Sequence, residues 1–255
     1  MAEEEKIEAH AKKALRILTN RKKKWKEKIK DFLWEILIII VGVSITLWFH
    51  NWSDRRQERK EVKQFLIDVR ENLIEDTSKI KANINFMTNG PLVYYDSVLY
   101  QINHHKIDAK YIDSNTVQLL NNYSANFDYS IFQSFSSAGN LRLIENRKLL
   151  GDIVTLYSSE LPNHTDNDQY ITNNRHDTFE KYIGSKLGID SNASCKLSTI
   201  IYQPEIKYLI QWGDIVIKEQ NRHEGNSVNG IVAVIHEIDK ELKDNFNYEV
   251  TKTKK

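Results

Sequence analysis

The residues best able to do chemistry, by type and spacing, are His164, Asp166 and Asp168. Alternating side chains of this kind can present ligand atoms to a cation. A calcium loop also needs a glycine after its first ligands and a glutamate at its far end, and both are missing here. We therefore expect a solvated turn, with an incidental metal site as the alternative, and we predict no metal ligand and no cofactor.

Other candidate catalytic groups lack the partners that catalysis requires. His104 and His105 are adjacent, so on a helix they point about 100° apart and cannot easily share one metal ion. The single cysteine, Cys195, has Lys196 beside it but no identifiable partner base. HExxH, GxGxxG, Walker and GxSxG motifs are missing from the sequence. We predict a non-enzymatic protein with no catalytic residue, and a site assembled from dispersed residues is the alternative.

One acid, Glu35, lies inside an apolar segment, where a carboxylate is costly and often functional. It is about one turn from Asp31 and the basic cluster before it, so it can snorkel to the inner headgroups. Pairing with a partner protein is the second interpretation. The third is a role like that of proton-driven motor subunits, which combine a short cytoplasmic tail, one span with an acid and an extracytoplasmic domain.

The apolar segment itself, residues 32–52, reads FLWEILIIIVGVSITLWFHNW. At about 1.5 Å per residue it is about 31 Å long, which matches the ~30 Å hydrocarbon core of a bilayer. Trp34 lies at one end and Trp48 and Trp52 at the other, with Trp25 further out, as in the aromatic belts of membrane interfaces. We predict a transmembrane helix, and the alternative is the central helix of a soluble protein.

Charge is distributed unevenly along the chain. Residues 1–30 carry 11 basic and 5 acidic groups, residues 31–52 only two acids, and residues 53–255 carry 25 basic and 28 acidic groups. The positive-inside rule places the basic flank in the cytoplasm and the larger part of the chain outside. Anionic lipids are the expected partner of that flank, which consists of Arg21, Lys22, Lys23, Lys24, Lys26, Lys28 and Lys30. The net charge of +1 argues against a nucleic-acid binder.

The sequence divides into four predicted segments. Residues 1–31 form a cytoplasmic basic tail, which is either a short amphipathic helix on the inner membrane face or a solvated segment. Residues 32–52 form a signal-anchor helix, because no small-x-small cleavage pattern follows them. Residues 53–245 form a periplasmic helical domain, and residues 246–255 form a flexible C-terminal tail.

Helical patterns dominate the chain beyond the span. No Gly or Pro interrupts residues 43–89, so one long helix is predicted to run to Met87, where Gly90-Pro91 stops it. Its apolar stripe packs on its own domain or, alternatively, on a second copy as a coiled coil. The stripe comprises Val62, Leu66, Val69, Leu73, Ile80 and Met87, and the polar residues Asp76 and Asn83 occupy two companion positions.

The rest of the chain shows shorter helical patterns. Pro162 is expected to end one helix, a polar loop follows at 163–169, and Pro204 is expected to begin another helix. We predict helices around 92–102, 117–121, 129–137, 143–157, 170–187, 204–217 and 228–242, and a short strand at 197–202. The predicted fold is all-α: a transmembrane helix that continues into a long helix, followed by an extracytoplasmic α-helical bundle.

Three segments carry a family resemblance: FLWEILIIIVGVSITLWFHNWSDRRQERK, FQSFSSAGNLRLIENRKLLGDIVTLY and IVAVIHEIDKELK. Together they resemble an uncharacterised membrane-anchored family of Bacteroidota, classed as a domain of unknown function. The similar features are the aromatic-Leu-x-Glu start of the span, its Asn-Trp exit, the Ser-x-Gly-Asn-Leu-x-Leu-Ile segment at 137–144 and the Pro-Glu helix start at Pro204. The resemblance implies an inner-membrane protein that faces the periplasm of a Gram-negative cell, and it assigns no catalytic residue.

These patterns predict a membrane-anchored periplasmic helical domain that binds another envelope protein or itself. A scaffold or interaction component is the expected role, and no nucleic-acid partner is expected. One alternative is a ligand-sensing module that acts through a separate signalling partner, because Tyr and Phe outside the membrane can line a pocket. The other is a motor-like accessory subunit that uses Glu35.

Overall fold

The structure of the chain, a computed structural model, describes residues 8–13, 16, 25–119, 121, 126–175, 177, 181–187 and 196–249. Throughout these ranges the regular elements are helical and none is a strand, which confirms the all-α prediction. The chain forms two compact units, Met1–Glu61 and Val62–Lys255. The unit boundary lies within one long helix, α2 (Trp25–Met87), whose end agrees with the predicted one.

The first unit contains a short helix, α1 (8–13), and the apolar part of α2. Its best 18-residue window has a mean hydropathy of 2.3, and only 6% of the window is buried. By length and composition this helix is able to cross a membrane. A core helix in a soluble protein buries its apolar face, and this window does not.

The predicted interface residues of the first unit are only partly described. Trp34, Trp48 and Trp52 are 58%, 62% and 51% exposed. Trp52 lies under the guanidinium group of Arg56, whose central carbon is 5.7 Å from the ring centroid. Of the basic flank, Lys30 is exposed. Arg21, Lys22, Lys23 and Lys24 lie outside the described residues, as do the side chains of Lys26 and Lys28 and that of the interface residue Trp25.

The second unit is built from helices of very different lengths. After α2 the chain forms α3 (Val93–Asn103), α4 (Ala109–Ser114), α5 (Ser130–Ser137), α6 (Arg147–Thr155), α7 (Leu161–Arg175), α8 (Lys181–Leu187), α9 (Leu197–Ile200) and α10 (Pro204–Phe246). Short 3-10 turns cover Thr116–Leu119 and Asn140–Leu143. The predicted strand at 197–202 is wrong, because Leu197, Ile200 and Ile201 are buried at helical spacing.

Helix α10 is the longest element wholly inside the second unit. It has 43 residues, and at 1.5 Å per residue it is about 64 Å long. The sequence suggested separate helices at 204–217 and 228–242, and that division is wrong. The buried positions keep helical spacing through the intervening residues, and each interior glycine costs a helix only about 1 kcal/mol.

Two apolar cores share α10 within the second unit. The first core takes α10 residues from Val228 to Leu242, and the second core takes those from Ile206 to Ile217. The stripe of α2 is buried in the same way, so the prediction that it packs on its own domain is confirmed. Most of it joins the first core, while Met87 joins the second.

Both interior prolines lie in or next to a π-helical turn. Pro91 is inside the π turn Thr88–Leu92, and Pro162 follows the π turn Leu156–Glu160 as the second residue of α7. A proline removes one helical N–H and clashes with the carbonyl four residues earlier, and the wider π turn relieves that clash. Met87 is the last α-helical residue of α2, as predicted, but the prediction that Gly90-Pro91 and Pro162 stop a helix is wrong, since helical backbone continues through both.

The polar loop predicted at 163–169 is wrong for the same reason, because these residues form the first half of α7. The far end of α7 is held by Arg175, which is 3% exposed. Its guanidinium group donates to the carbonyl oxygens of Asn121 at 2.9 Å and Leu119 at 2.7 Å. Bonds from a buried guanidinium to carbonyls replace its lost hydration and fix the position of α7.

A close contact at Gly213 gives the first testable prediction. A Cβ atom added there lies 2.6 Å from the hydroxyl oxygen of Tyr95 and 2.7 Å from its ring, and Tyr95 is fully buried. We expect Gly213→Ala to lower the thermal unfolding midpoint in detergent, by an overpacking cost of about 1–3 kcal/mol. Gly225→Ala is the control in the same helix, since nothing lies within 4 Å of its added Cβ.

Ala favours a helix over Gly by about 0.5–1 kcal/mol, so the control is expected to raise the midpoint. A midpoint for Gly213→Ala equal to that of Gly225→Ala contradicts the close packing of α10 on α3.

Candidate functional site

A set of buried polar side chains interrupts the two apolar cores of the second unit. We call it the buried polar layer, and it comprises Asn83 of α2, His164 and Asp168 of α7, and Gln220 and Glu224 of α10. On α10 these positions fall between Ile217 of the second core and Val228 of the first. On α2 the position of Asn83 falls between Ile80 and Met87 in the same way. All five side chains are at least nine-tenths buried.

Helix α7 presents His164 and Asp168 one turn apart on its buried face. The Nε2 atom of His164 is 3.4 Å from Oδ2 of Asp168. On the other side of the ring, Nδ1 of His164 is 2.9 Å from Oγ of Ser227 and 3.3 Å from Nδ1 of His223. The imidazole also has its ring centroid 5.4 Å from that of Phe127, in an edge-to-face arrangement.

Helix α10 supplies Gln220 and Glu224, and α2 supplies Asn83. The amide nitrogen of Asn83 donates to both carboxylate oxygens of Glu224, at 2.7 Å each. The amide nitrogen of Gln220 donates to Oδ1 of Asp168 at 3.3 Å. The layer therefore joins α7 and α2 to the same two turns of α10.

Burial changes the protonation of the layer. It raises the pKa of Glu224 to about 7; the bond from Asn83 opposes this shift, and the charge of Asp168 adds to it. Burial also lowers the pKa of His164, while Asp168 opposes that change and His223 adds to it. The apolar surroundings thus favour neutral forms of both groups.

The layer includes a possible set of metal ligands. One ligand atom each from His164, Asp168 and Glu224 lies within 4.8 Å of the other two. Asp166, which the sequence placed beside these ligands, is exposed. The expectation of a solvated turn is therefore wrong for His164 and Asp168, which are fully buried.

Sequence reasoning missed Glu224 because it is 60 residues from His164 and follows no known spacing. A signal was present nonetheless. Polar residues Gln220 and Glu224 occupy positions of α10 that continue the apolar spacing between Ile217 and Val228. His164 and Asp168 also have the i, i+4 spacing that places two side chains on one helix face.

The structure places the predicted intramembrane acid against a new partner. Glu35 is buried and pairs with His10 of α1, and Nζ of Lys13 is 3.6 Å from its Oε2. Neither His10 nor Lys13 is indicated by the sequence as a partner of Glu35. His10 and Lys13 belong to the same unit, and their contacts reduce the desolvation cost of burying the carboxylate.

The other histidine candidates do not converge. His104 stacks on Tyr100 with ring centroids 4.0 Å apart, and His105 stacks on Tyr202 at 5.8 Å. The two adjacent imidazoles lie in the turn after α3 and face different neighbours. Cys195 lies outside the described residues.

A surface groove of about 640 Å³ lies at the start of α10. Its walls combine aromatic, aliphatic and acidic side chains: Asp177, Tyr182, Pro204, Glu205, Tyr208 and Leu209. None of these lining residues belongs to the buried polar layer.

Comparison with protein-family models, curated proteins and solved structures finds no match.

A further buried carboxylate, that of Asp76, lies on α2 two turns before Asn83. Its oxygens accept no hydrogen bond within the described part of the chain, and Nζ of Lys79 is 3.7 Å from Oδ1. Burial raises the pKa of Asp76 to about 6; Lys79 opposes the shift, while Glu75 and Asp128 add to it. A raised carboxyl pKa stabilises the fold below the unfolded value of 3.8, and this stability is lost as the pH rises through about 6.

The second prediction follows from this loss of stability with rising pH. Asp76→Asn removes the cost of ionising a buried carboxyl group. We therefore expect the unfolding free energy of the variant, relative to that of the wild type, to grow by about 1–2 kcal/mol between pH 4.5 and 7. Thermal unfolding in detergent at several pH values measures it. Glu71→Gln is the control, because Glu71 is exposed on the same helix and does not contribute to the pKa shift of Asp76. An advantage of Asp76→Asn that is constant with pH contradicts the prediction.

Proposed function

We propose that the chain is a single-pass protein of the bacterial inner membrane. Residues 1–31 lie in the cytoplasm, residues 32–52 cross the bilayer, and the helical domain 53–245 lies in the periplasm. The observation that carries the proposal is the apolar window of α2, of which only 6% is buried. So large an apolar surface needs cover, and the hydrocarbon of a bilayer provides it.

The direction of insertion rests on charge. The flank before the span carries seven basic groups and one acid at residues 21–30, against five basic and three acidic groups at residues 53–63. The flank with more basic residues, 21–30, stays in the cytoplasm. The resemblance to a membrane-anchored family of Bacteroidota supports the same compartment.

The proposed role is binding of another envelope protein, or of a second copy, by the helical domain as a scaffold component. An anchor that holds a domain at the membrane surface favours such encounters by raising the effective concentration of both partners. Catalytic motifs of the classes sought are missing from the sequence, which supports a non-enzymatic role.

The contacts of Glu35 support an interfacial position for that acid. Its partners His10 and Lys13 come from the tail that the proposal places in the cytoplasm. A carboxylate paired in this way is held at the inner boundary of the span, which favours anchoring over a motor-like proton relay.

A second candidate function, ligand sensing, is favoured by the groove at the start of α10. Its volume of about 640 Å³ suits a small molecule. Tyr208 offers an aromatic face and Glu205 a carboxylate, so the groove suits a ligand that is apolar and carries a positive charge.

The third prediction tests anchoring and binding together. A membrane-impermeant, amine-reactive cross-linker is added to spheroplasts, and the full chain is purified in detergent. We expect cross-linked species that contain a partner or a second copy, joined through exposed lysines such as Lys81, Lys110 and Lys240. Lys12 and Lys13 of the tail are expected to react only after the membrane is permeabilised.

Two results contradict the proposal in different ways. Reaction of the tail, but not of the domain, in intact spheroplasts reverses the topology. Modified but purely monomeric protein, before and after permeabilisation, removes the binding role and leaves the anchor in place.

A further inference from the structure

The strongest unexplained feature is the concentration of ionisable groups in the buried polar layer. His164, Asp168 and Glu224 are each completely buried. We propose that these three side chains bind one divalent transition-metal ion of the zinc class between α7 and α10.

The hydrogen bonds around His164 leave one ring nitrogen suited to a metal. Ser227 has a single hydroxyl hydrogen, which it donates to the carbonyl oxygen of His223 at 3.2 Å. Its oxygen therefore accepts from Nδ1 of His164, 2.9 Å away. A neutral imidazole protonated at Nδ1 carries a bare lone pair on Nε2.

That lone pair points towards a second acceptor. Nε2 of His164 makes no hydrogen bond within the described residues, and its near neighbour is Oδ2 of Asp168 at 3.4 Å. Two acceptors cannot bond to each other, and in a buried site the mismatch is costly. A cation bound to Nε2 gives the buried lone pair a partner, and Oδ2 of Asp168 is close enough to bind the same ion.

Each proposed ligand is oriented by a neutral donor or hydroxyl group. Ser227 holds His164, Gln220 holds Asp168, and Asn83 holds Glu224. Partners of this kind fix ligand orientation in known metal sites without competing for the ion. Two carboxylates and a neutral imidazole also balance the charge of a divalent ion.

The donor set selects the class of metal. One imidazole nitrogen and two carboxylates suit zinc and neighbouring first-row ions, whereas calcium requires about six to eight oxygen ligands. Zinc bonds of about 2.0–2.2 Å need ligand atoms roughly 3–3.5 Å apart. The three ligand atoms lie within 4.8 Å of one another. Side-chain rotations that move each atom by about 1 Å bring them to the spacing that zinc requires. Complete burial indicates a structural ion that ties α7 to α10.

The fourth prediction measures zinc binding by the full chain in detergent after removal of metals with EDTA. We expect one equivalent of Zn²⁺ per chain and a rise in the thermal unfolding midpoint, with a much smaller response to Ca²⁺. Glu224→Gln and Asp168→Asn are expected to bind Zn²⁺ at least tenfold more weakly and to lose the rise. In EDTA, Glu224→Gln is expected to unfold in one cooperative transition close to that of the wild type, because the removal of a buried acid offsets the loss of one bond from Asn83, and this shows that it folds.

Matched controls separate this site from surface histidines and acids. Glu219→Gln on α10 and Asp166→Asn on α7 change exposed acids close in sequence to the ligands, and His104→Gln changes an exposed histidine. All three are expected to behave as the wild type does. Equal zinc binding and equal midpoint shifts in the wild type and Glu224→Gln overturn the proposal, as does the failure of metal-free wild type to bind Zn²⁺. Neither result bears on the membrane anchor.

Discussion

The hydrogen bonds from Asn83 to Glu224 are the constraint on which the packing of the helical unit depends. Glu224 is a carboxyl group in the middle of a helix that has an apolar core on each side. Burying it without a partner costs several kcal/mol, on the order of 2–7 for a polar group. Asn83 provides that partner with both bonds at 2.7 Å.

This pairing also specifies the register of α10 against α2. A slip by one helical turn places Glu224 opposite Ile80 or Met87, so its bonds from Asn83 are lost while little apolar contact is gained. Leu, Ile and Val stripes alone tolerate such slips, and a buried polar pair is a known way to exclude them. The same layer places His164 and Asp168 of α7 against α10 and so relates three helices to one another.

The sequence was sufficient for the fold class, the long helix to Met87 and the burial of its stripe, because apolar periodicity determines these features. It also exposed Asp76 and Asn83 as interruptions of that stripe. It failed at Pro91 and Pro162, since a π turn that accommodates proline leaves no local signal. The error at Pro162 turned the first half of α7 into a loop and so hid the burial of His164 and Asp168.

The remaining part of the site depends on long-range packing. Glu224 meets Asn83 across 141 residues and approaches His164 across 60, and single-sequence periodicity carries no information on such pairs. The same holds for Glu35, whose partners His10 and Lys13 come from the preceding tail. In both units the partner of the buried acid is visible only in the structure.

The central claim, that Asn83 and Glu224 hold the helical unit in register, is tested most directly by a double-mutant cycle. Unfolding of the full chain is measured in detergent with EDTA at pH 8, for the wild type, Asn83→Ala, Glu224→Ala and the double variant. The account predicts a coupling free energy of about 1–3 kcal/mol, as for a buried hydrogen bond to a charged group. Effects that add to within about 0.5 kcal/mol contradict it.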